Sequence, residues 1–306
     1  MQSQNPAKPP WLKIRAPTLE TYAVLREKIP RLDLHTVCEE AHCPNMAECW
    51  SANTATFMVL GDTCTRACRF CAIKKNAKPL PPNPAEPAIL ADTVASMGLK
   101  YAVITSVDRD DLADQGADHF AQCIHAVRKM NPKTKIEVLT PDFRGEESCI
   151  ETVLAAGPDV FGHNIETVKR LQADVRDRRA NYEQSRGVLK AVKVRSPKTF
   201  TKSALMLGLG ETEDEVREAL DDLRGANVDI VYLGQYLQPS AKHFPLKEYG
   251  TPAVFDRLEK AAYEKGFLFA QAGPFVRSSY RASEFMAFQN QKYLESRLSK
   301  SPERQI

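Results

Sequence analysis

The sequence predicts an α/β fold, a partial (β/α)6 barrel of the TIM type with extensions at both ends that cover the barrel mouth. Three observations support this. Short apolar runs alternate with charged, helix-like stretches from Thr56 to Lys265, the order expected of parallel β/α units. Six such units can be counted, two short of a full barrel. Polar stretches gather where the strands end, at "TSVDRDD", "TPDFR", "GHNIET", "GLGET" and "QYLQPS", and barrel chemistry collects at that end. No glycine-rich dinucleotide fingerprint follows the first strand, which weighs against a Rossmann arrangement.

The elements follow in order. The first 30 or so residues are rich in proline, with one helix-like stretch at Thr18–Lys28, and read as an extended arm. "TFMVLGD" (Thr56–Asp62) is a short apolar run ended by Gly-Asp and reads as a buried strand. The connector "PLPPNPAEP" (Pro79–Pro87) leads to a helix at Ala88–Met97. Strand Lys100–Val107 with helix Gly116–Met130 forms the second unit, and strand Lys135–Pro141 with helix Glu146–Ala156 the third. Strand Asp159–Thr167 precedes a charged stretch to Val192 that should hold one or two helices. Strand Thr201–Glu211 leads to a helix opening at "TEDEV", its acidic first turn suited to the positive end of the helix dipole. Strand Asp229–Leu237 and helix Pro252–Lys265 complete the series; Phe267–Val276 is a further strand-like run, and the C-terminus reads as helical and polar. The expected division is an N-terminal extension (1–55), the barrel (56–276) and a C-terminal extension (277–306).

The chain has 306 residues, and its 42 basic against 39 acidic residues give +3, too weak a field to suggest nucleic acid. No run of about 18 apolar residues predicts a membrane span. The start "MQSQNPAKPPWLKIRAP" has neither the apolar core of a signal peptide nor the Arg- and Ser-rich character of a transit peptide. The expectation is a cytoplasmic monomer with no nucleic-acid and no membrane partner, in a reducing compartment. Disulfide frameworks belong to short secreted chains, so the eight cysteines call for another explanation.

Six of them form two tight groups, Cys38/Cys43/Cys49 and Cys64/Cys68/Cys71. The second follows the first strand and so lies at the mouth. Three thiolates can hold three irons of a [4Fe–4S] cube and leave the fourth iron open for another ligand. Three core cysteines on one helix face, or a zinc site preferring four closed ligands, are the competing readings. Cys123 and Cys149 fall in predicted helices and read as core residues.

With Phe70 before its last cysteine, "CTRACRFC" is similar to the C-x3-C-x2-C signature of the radical S-adenosylmethionine superfamily, whose fold is also a partial barrel. The first group, "CEEAHCPNMAECW", has the spacing C-x4-C-x5-C. Together with "TSVDRDDL", "HNIETV", "TKSALMLGLGET", "GQYLQPS" and "GPFVRSSY", it makes the chain resemble the lipoyl synthase family from about Lys28 to Arg281. Gly162, where that family commonly has Asn, and His42, where it has a small residue or Arg, are departures.

The resemblance implies two [4Fe–4S] clusters and S-adenosylmethionine. Cys64, Cys68 and Cys71 would hold the cluster at which S-adenosylmethionine is cleaved to a 5′-deoxyadenosyl radical. Cys38, Cys43 and Cys49, with Ser279 (favoured over Ser278) as fourth ligand, would hold an auxiliary cluster consumed as sulfur donor. Phe70, Thr105, Ser106, Asp108, Asn164 and Glu166 would contact the cofactor, and Gly208–Glu211 would let backbone approach it closely. Arg277 would meet a backbone carbonyl or the peptide substrate, or lie at the surface. The implied reaction inserts two sulfurs, at C6 and C8, into an octanoyl chain on a lysine. The implied partners are octanoylated carrier domains (2-oxoacid dehydrogenase E2 subunits, the glycine cleavage H protein) or a derived peptide. An electron donor such as flavodoxin or ferredoxin and a cluster-repair protein complete the expected set.

Overall fold

The computed structural model describes residues 6–12, 34–36, 40, 43, 45–51 and 54–289. Seven parallel strands form one sheet: β1 (Thr54–Val59), β2 (Tyr101–Ser106), β3 (Lys135–Leu139), β4 (Val160–Gly162), β5 (Phe200–Leu207), β6 (Ile230–Gln235) and β7 (Phe269–Gly273). They pair in chain order, each with the next. A two-residue strand, His35–Thr36, pairs antiparallel with β1 and covers its outer edge. Between the strands lie the helices α1 (Glu86–Ser96), α2 (Ala117–Met130), α3 (Glu147–Ala155), α4 (Tyr182–Arg195), α5 (Glu213–Gly225) and α6 (Pro252–Glu264). All six residues of β1, and all six of β6, are buried, as strands covered on both faces must be.

The helix starts follow local chemistry. Thr212 and Glu215 form a capping box at α5, each side chain meeting the other's backbone N–H. Asn181 caps α4 by accepting from Gln184 N at 2.8 Å. Proline stands in the first turn of α1 and of α6, where a missing N–H costs nothing. The apolar faces of α1 to α3 pack on β1 to β4 in one core, and those of α5 and α6 pack on β5 to β7 in a second. Cys123 and Cys149 are buried in the first core, as expected.

Two strands are shorter than their apolar runs. The fourth stops at Gly162: His163 N still donates to Lys202 O at 3.0 Å, but Ile165 N bonds to the Ser203 hydroxyl at 3.2 Å instead of a backbone carbonyl. Only a lone bridge, Glu166 to Leu205, resumes the pairing. The fifth stops at Leu207 because Gly208 and Gly210 take φ of +97° and +108°. The run Phe267–Val276 supplies a seventh strand, paired with β6 from Phe269 to Gly273. Two helices, the four-residue Gln172–Val175 and the 14-residue α4, occupy the charged stretch after β4. The expected Thr18–Lys28 helix lies outside the described residues, while the C-terminal segment is helical at 283–289.

That last segment does more than cover the mouth. After β7 it lines the mouth with Arg277, Ser278 and Ser279, then continues to the opposite end. There Phe285 packs against Val160, Phe200, Ile230 and Phe269, residues at or next to the starts of four strands. Just above, inside the barrel, Lys202 and Glu137 form a buried ion pair at 2.9 Å, and the Tyr101 hydroxyl donates to Glu137 at 2.7 Å.

Candidate active site

At the end of β1 the chain turns through Leu60 (φ +68°) and Gly61 (φ +86°) into the cysteine loop. The Glu86 carboxylate fixes this turn by accepting Leu60 N at 2.8 Å, and it lies 2.6 Å from His119 Nε2. The loop itself is pinned from several sides. Arg66, between the first two cysteines, is 3% exposed and donates twice to Asp110, both at 2.9 Å, and once to Asp142 at 2.7 Å. Thr65 N donates to Asp108 O, Ala67 N to Asp177, and Arg69 N to Val175 O. From the loop after β6, Phe244 N donates to Arg69 O at 2.8 Å and His243 Nε2 to the Cys71 carbonyl at 3.1 Å. Burial opposes ionisation of Asp110, but hydrogen bonds from Arg66, Thr65 and Arg144 hold its carboxyl down at about 2. The loop is thus a rigid, ion-paired platform.

A cavity of about 390 Å³ opens above it, lined by Cys64, Cys68, Cys71, Phe70, Thr105, Ser106, Asp108, Asn164 and Glu166. Residues from the ends of β2 and β4 thereby meet the cysteine loop, together with Cys43, Ser278 and Ser279 from the two extensions. Burial raises the Cys64 and Cys68 thiols to about 12 and raises Cys71 as well. Each also accepts a backbone N–H, which favours a thiolate: Cys64 from Arg66 and Asp108, Cys68 from Asp177, Cys71 from Ile73. Cys123 differs. It is raised by burial and further by neighbouring Glu86, with no N–H donor among the causes of its shift.

The spacing of the thiols bears on what they could hold. Among the described residues, the ligand-type trio gathered within 4.8 Å is Glu86, His119 and Cys123. In that trio the Glu86 oxygen is already engaged by Leu60 N and His119. Cys64, Cys68 and Cys71 are not gathered so tightly, whereas thiolates bound to one zinc at about 2.3 Å stand about 4 Å apart. Three partly buried thiols, each accepting an N–H, suit a cluster in which each iron takes one thiolate.

The other expected contacts differ in character. The Ser106 hydroxyl is buried without a hydrogen-bond partner, so it is available to a bound group. Thr105 Oγ1 already donates to Leu139 O at 2.8 Å. Asp108 stands 3.2 Å from Arg66 and 3.8 Å from Cys64 Sγ, and burial raises its carboxyl to about 6. Asn164 hydrogen-bonds Glu166, whose φ of +66° is unusual for a non-glycine residue and marks strain at the cavity wall. Gly208–Glu211, expected to approach the cofactor, are not among the residues that line this cavity. A Cβ at Gly208 would lie 2.3 Å from Gln235 Nε2 and 2.4 Å from Glu248 O, so the close approach is to the protein's own chain.

Arg176 escaped the sequence reading. It lines the cavity, is 8% exposed, and its Nε has no partner. Its Nη1 donates to the Ser185 hydroxyl at 2.7 Å, Ser185 donates to His163 Nε2 at 2.9 Å, and His163 Nδ1 donates to the Thr140 carbonyl at 2.9 Å. This chain of donors keeps His163 neutral and aims a buried cation at the cavity. Nothing near Arg176 in the sequence marks it, because the relay joins three separate segments.

The second triplet is less complete. Cys38 lies outside the described residues. Cys43 lines the cavity. Cys49, in the short helix Met46–Ser51, is buried and does not line it; burial raises its thiol to about 11, and Arg281 N donates to its sulfur. Burial raises Cys43 too, against an N–H from Asn45 and the charge of Arg277. Arg277 donates to the Val276 carbonyl at 2.7 Å, one of the three placements expected of it.

Comparisons with known proteins agree with this arrangement. Residues 58–223 match the family model described as the radical SAM superfamily, and residues 1–43 match the N-terminal domain of lipoyl synthase. The chain is 53% identical to the mitochondrial lipoyl synthase of Trichoplax adhaerens over 90% of its own length and 80% of that protein's. It is likewise 53% identical to the chloroplastic lipoyl synthase of Arabidopsis thaliana, covering 92% of this chain and 72% of that one. The FeFe-hydrogenase maturase HydG from Carboxydothermus hydrogenoformans, 12% identical, shares the fold with a TM-score of 0.54 over 89% of this chain and 78% of its own. No helix among the described residues is long and apolar enough to cross a membrane. On sequence, fold and the convergence of its cysteine loop with both extensions on one cavity, the chain belongs to the lipoyl synthase family of radical SAM enzymes.

Proposed function

We propose that this lipoyl synthase inserts two sulfur atoms, at C6 and C8, into an octanoyl chain carried on a lysine. One observation carries the reading: a thiol and two serines from the two chain ends, Cys43, Ser278 and Ser279, line the same cavity as Cys64, Cys68 and Cys71. The target carbons are unactivated, so no side-chain base could remove their hydrogens. When bound, a reduced [4Fe–4S] cluster with S-adenosylmethionine supplies a radical able to do so, and a second [4Fe–4S] cluster supplies the sulfur.

The chain's own residues hold and shield these groups. Cys64, Cys68 and Cys71 would take the first cluster, their N–H donors stabilising sulfur charge. Cys38, Cys43, Cys49 and Ser279 would take the second, the serine oxygen being the ligand most readily released. Phe70 would pack on the adenine, and Thr105, Ser106 and Asp108 would line the methionine end. Asn164 and Glu166 would meet the ribose hydroxyls, and the aimed guanidinium of Arg176 suits the cofactor's carboxylate. The division into an N-terminal extension (1–55), a barrel (56–276) and a C-terminal extension (277–306) belongs to the same reading. So do a carrier domain or derived peptide as substrate, a flavodoxin- or ferredoxin-type reductant and a repair protein. A reducing setting is supported by the seven free cysteines among the described residues; a cytoplasmic location is part of the proposal, the matched relatives being mitochondrial and chloroplastic.

Anaerobic incubation with S-adenosylmethionine, dithionite and an octanoyl-lysine peptide tests this by mass analysis. The expected products are 5′-deoxyadenosine and a peptide carrying two added sulfurs. Deoxyadenosine without any sulfur-bearing peptide from fully loaded protein would overturn the reading.

A further inference from the structure

The half-site made by Cys43 and Cys49 depends on residues 230 positions away. Asn45 Nδ2 donates to Phe275 O at 2.5 Å. Glu48, next to Cys49, accepts from Arg281 Nε at 2.8 Å and from the Tyr280 hydroxyl at 3.2 Å. Arg281 therefore acts twice, since its own N–H donates to the Cys49 sulfur. It does so from a left-handed backbone, φ +47°, uncommon for arginine and held in place by these contacts. Gly234 makes room for the same segment: a Cβ there would lie 2.0 Å from Val276 O. The guanidinium also stacks over Tyr280 at 5.2 Å and reaches Glu284 at 3.1 Å.

We propose that Glu48 and Arg281 form a latch that positions the second cluster site, docking the serine-bearing C-terminal segment on the cysteine-bearing N-terminal helix. The inference rests on the reading above that this site holds a cluster. Both latch partners are nearly half exposed, Arg281 at 45% and Glu48 at 48%, so salt screens the contact and it opens easily. A site meant to release a spent group and accept a new one needs such a closure. Glu48 and Arg281 are positioning residues; neither is assigned to the reacting atoms.

The test uses anaerobically purified protein carrying both clusters, with iron release to a chelator followed in time. Glu48→Arg and Arg281→Glu should each lose about half the iron roughly threefold to fivefold faster than wild type, the scale of one exposed ion pair. The double exchange should return release to within about twofold of wild type. Arg281→Gly, which keeps the left-handed backbone without strain, should behave like Arg281→Glu. In cluster-free protein, amide hydrogen exchange over residues 282–286 should rise in the single variants and fall again in the double exchange. Release and exchange unchanged in the single variants, or no recovery in the double exchange, would overturn the latch. Equal acceleration of both halves of the iron would also overturn it. Wild-type protein binding about four irons, not eight, would instead sink the two-cluster reading, while the exchange measurement would still report on the latch.

Discussion

The two cysteine sites are held by different physics. Around Cys64, Cys68 and Cys71 the anchors are buried: Arg66 is 3% exposed and meets Asp110 and Asp142, whose side chains are 4% and 0% exposed. Around Cys43 and Cys49 the charged anchor is the half-exposed Glu48–Arg281 pair, joining segments from opposite ends of the chain beside the neutral Asn45–Phe275 hydrogen bond. Buried, fully hydrogen-bonded ion pairs are rigid and costly to break, while exposed ones are weak and salt-sensitive. A permanent radical-generating site and a site whose contents are consumed would need that contrast.

The largest effects come from breaking each site in turn. Cys64→Ala, Cys68→Ala or Cys71→Ala should abolish 5′-deoxyadenosine formation yet leave about half the iron bound. Cys43→Ala or Cys49→Ala should preserve deoxyadenosine and eliminate sulfur insertion, both read by mass analysis of one reaction mixture. Full sulfur insertion by Cys43→Ala would erase the distinction between the sites.

Next in size is Arg66→Met. It strands Asp110 and Asp142 without their buried partner and should destabilise the fold by about 3–5 kcal/mol, measured as a shift in the urea midpoint at unchanged slope. Removing Glu48 should cost no more than about 1 kcal/mol by the same measurement. Similar losses in the two variants would contradict the comparison.

Acid should separate the regions as well. Burial, helped by the charge of Arg176, lowers His163 to about 4, whereas an unfolded histidine titrates at about 6.5. The unfolded chain therefore binds the extra proton first. This contribution is fully present above about pH 6.5 and is lost as pH falls towards 4, by up to about 3 kcal/mol. Asp110, lowered to about 2, adds a further loss only below its unfolded value of about 3.9. His163→Gln should flatten the upper part of the curve, and a slope unchanged by that substitution would show that His163 is not its source.

Gly234→Ala tests the C-terminal segment from the side of the barrel. Its Cβ would meet Val276 O at 2.0 Å, so the C-terminal segment must shift, at about 1–3 kcal/mol. Sulfur insertion should fall while deoxyadenosine formation holds. Equal loss of both would mean that the segment supports the whole mouth rather than one site.

Much of this was legible in the chain itself. The β/α alternation gave strand positions to within a few residues, because parallel strands buried on both faces are written as apolar runs. Both cysteine groups stand out in the sequence because their spacing is local. What escaped was tertiary. Arg66 looks like filler between cysteines until Asp110 and Asp142 arrive from other loops. Arg176 gains its aim only through Ser185 and His163. Gly208 carries the backbone freedom expected of it, but Gln235 and Glu248 fill the space beside it. Glu48 and Arg281 are ordinary surface charges in sequence, and only the fold makes them neighbours.

The clasp between the two chain ends also fixes an order of events during synthesis. The Cys64 loop draws its anchors from Asp108 to Asp177 and from Phe244, so most of its frame exists while the ribosome is still producing the last strands. The Asn45–Phe275 and Glu48–Arg281 contacts span 230 and 233 residues, and contacts of such long range form late. Until Arg281 has left the exit tunnel, the residues around Cys49 have no partner to close against. A nascent chain can thus shape its first site early, but its second only once the C-terminal segment has emerged, when every strand of the barrel has already been made.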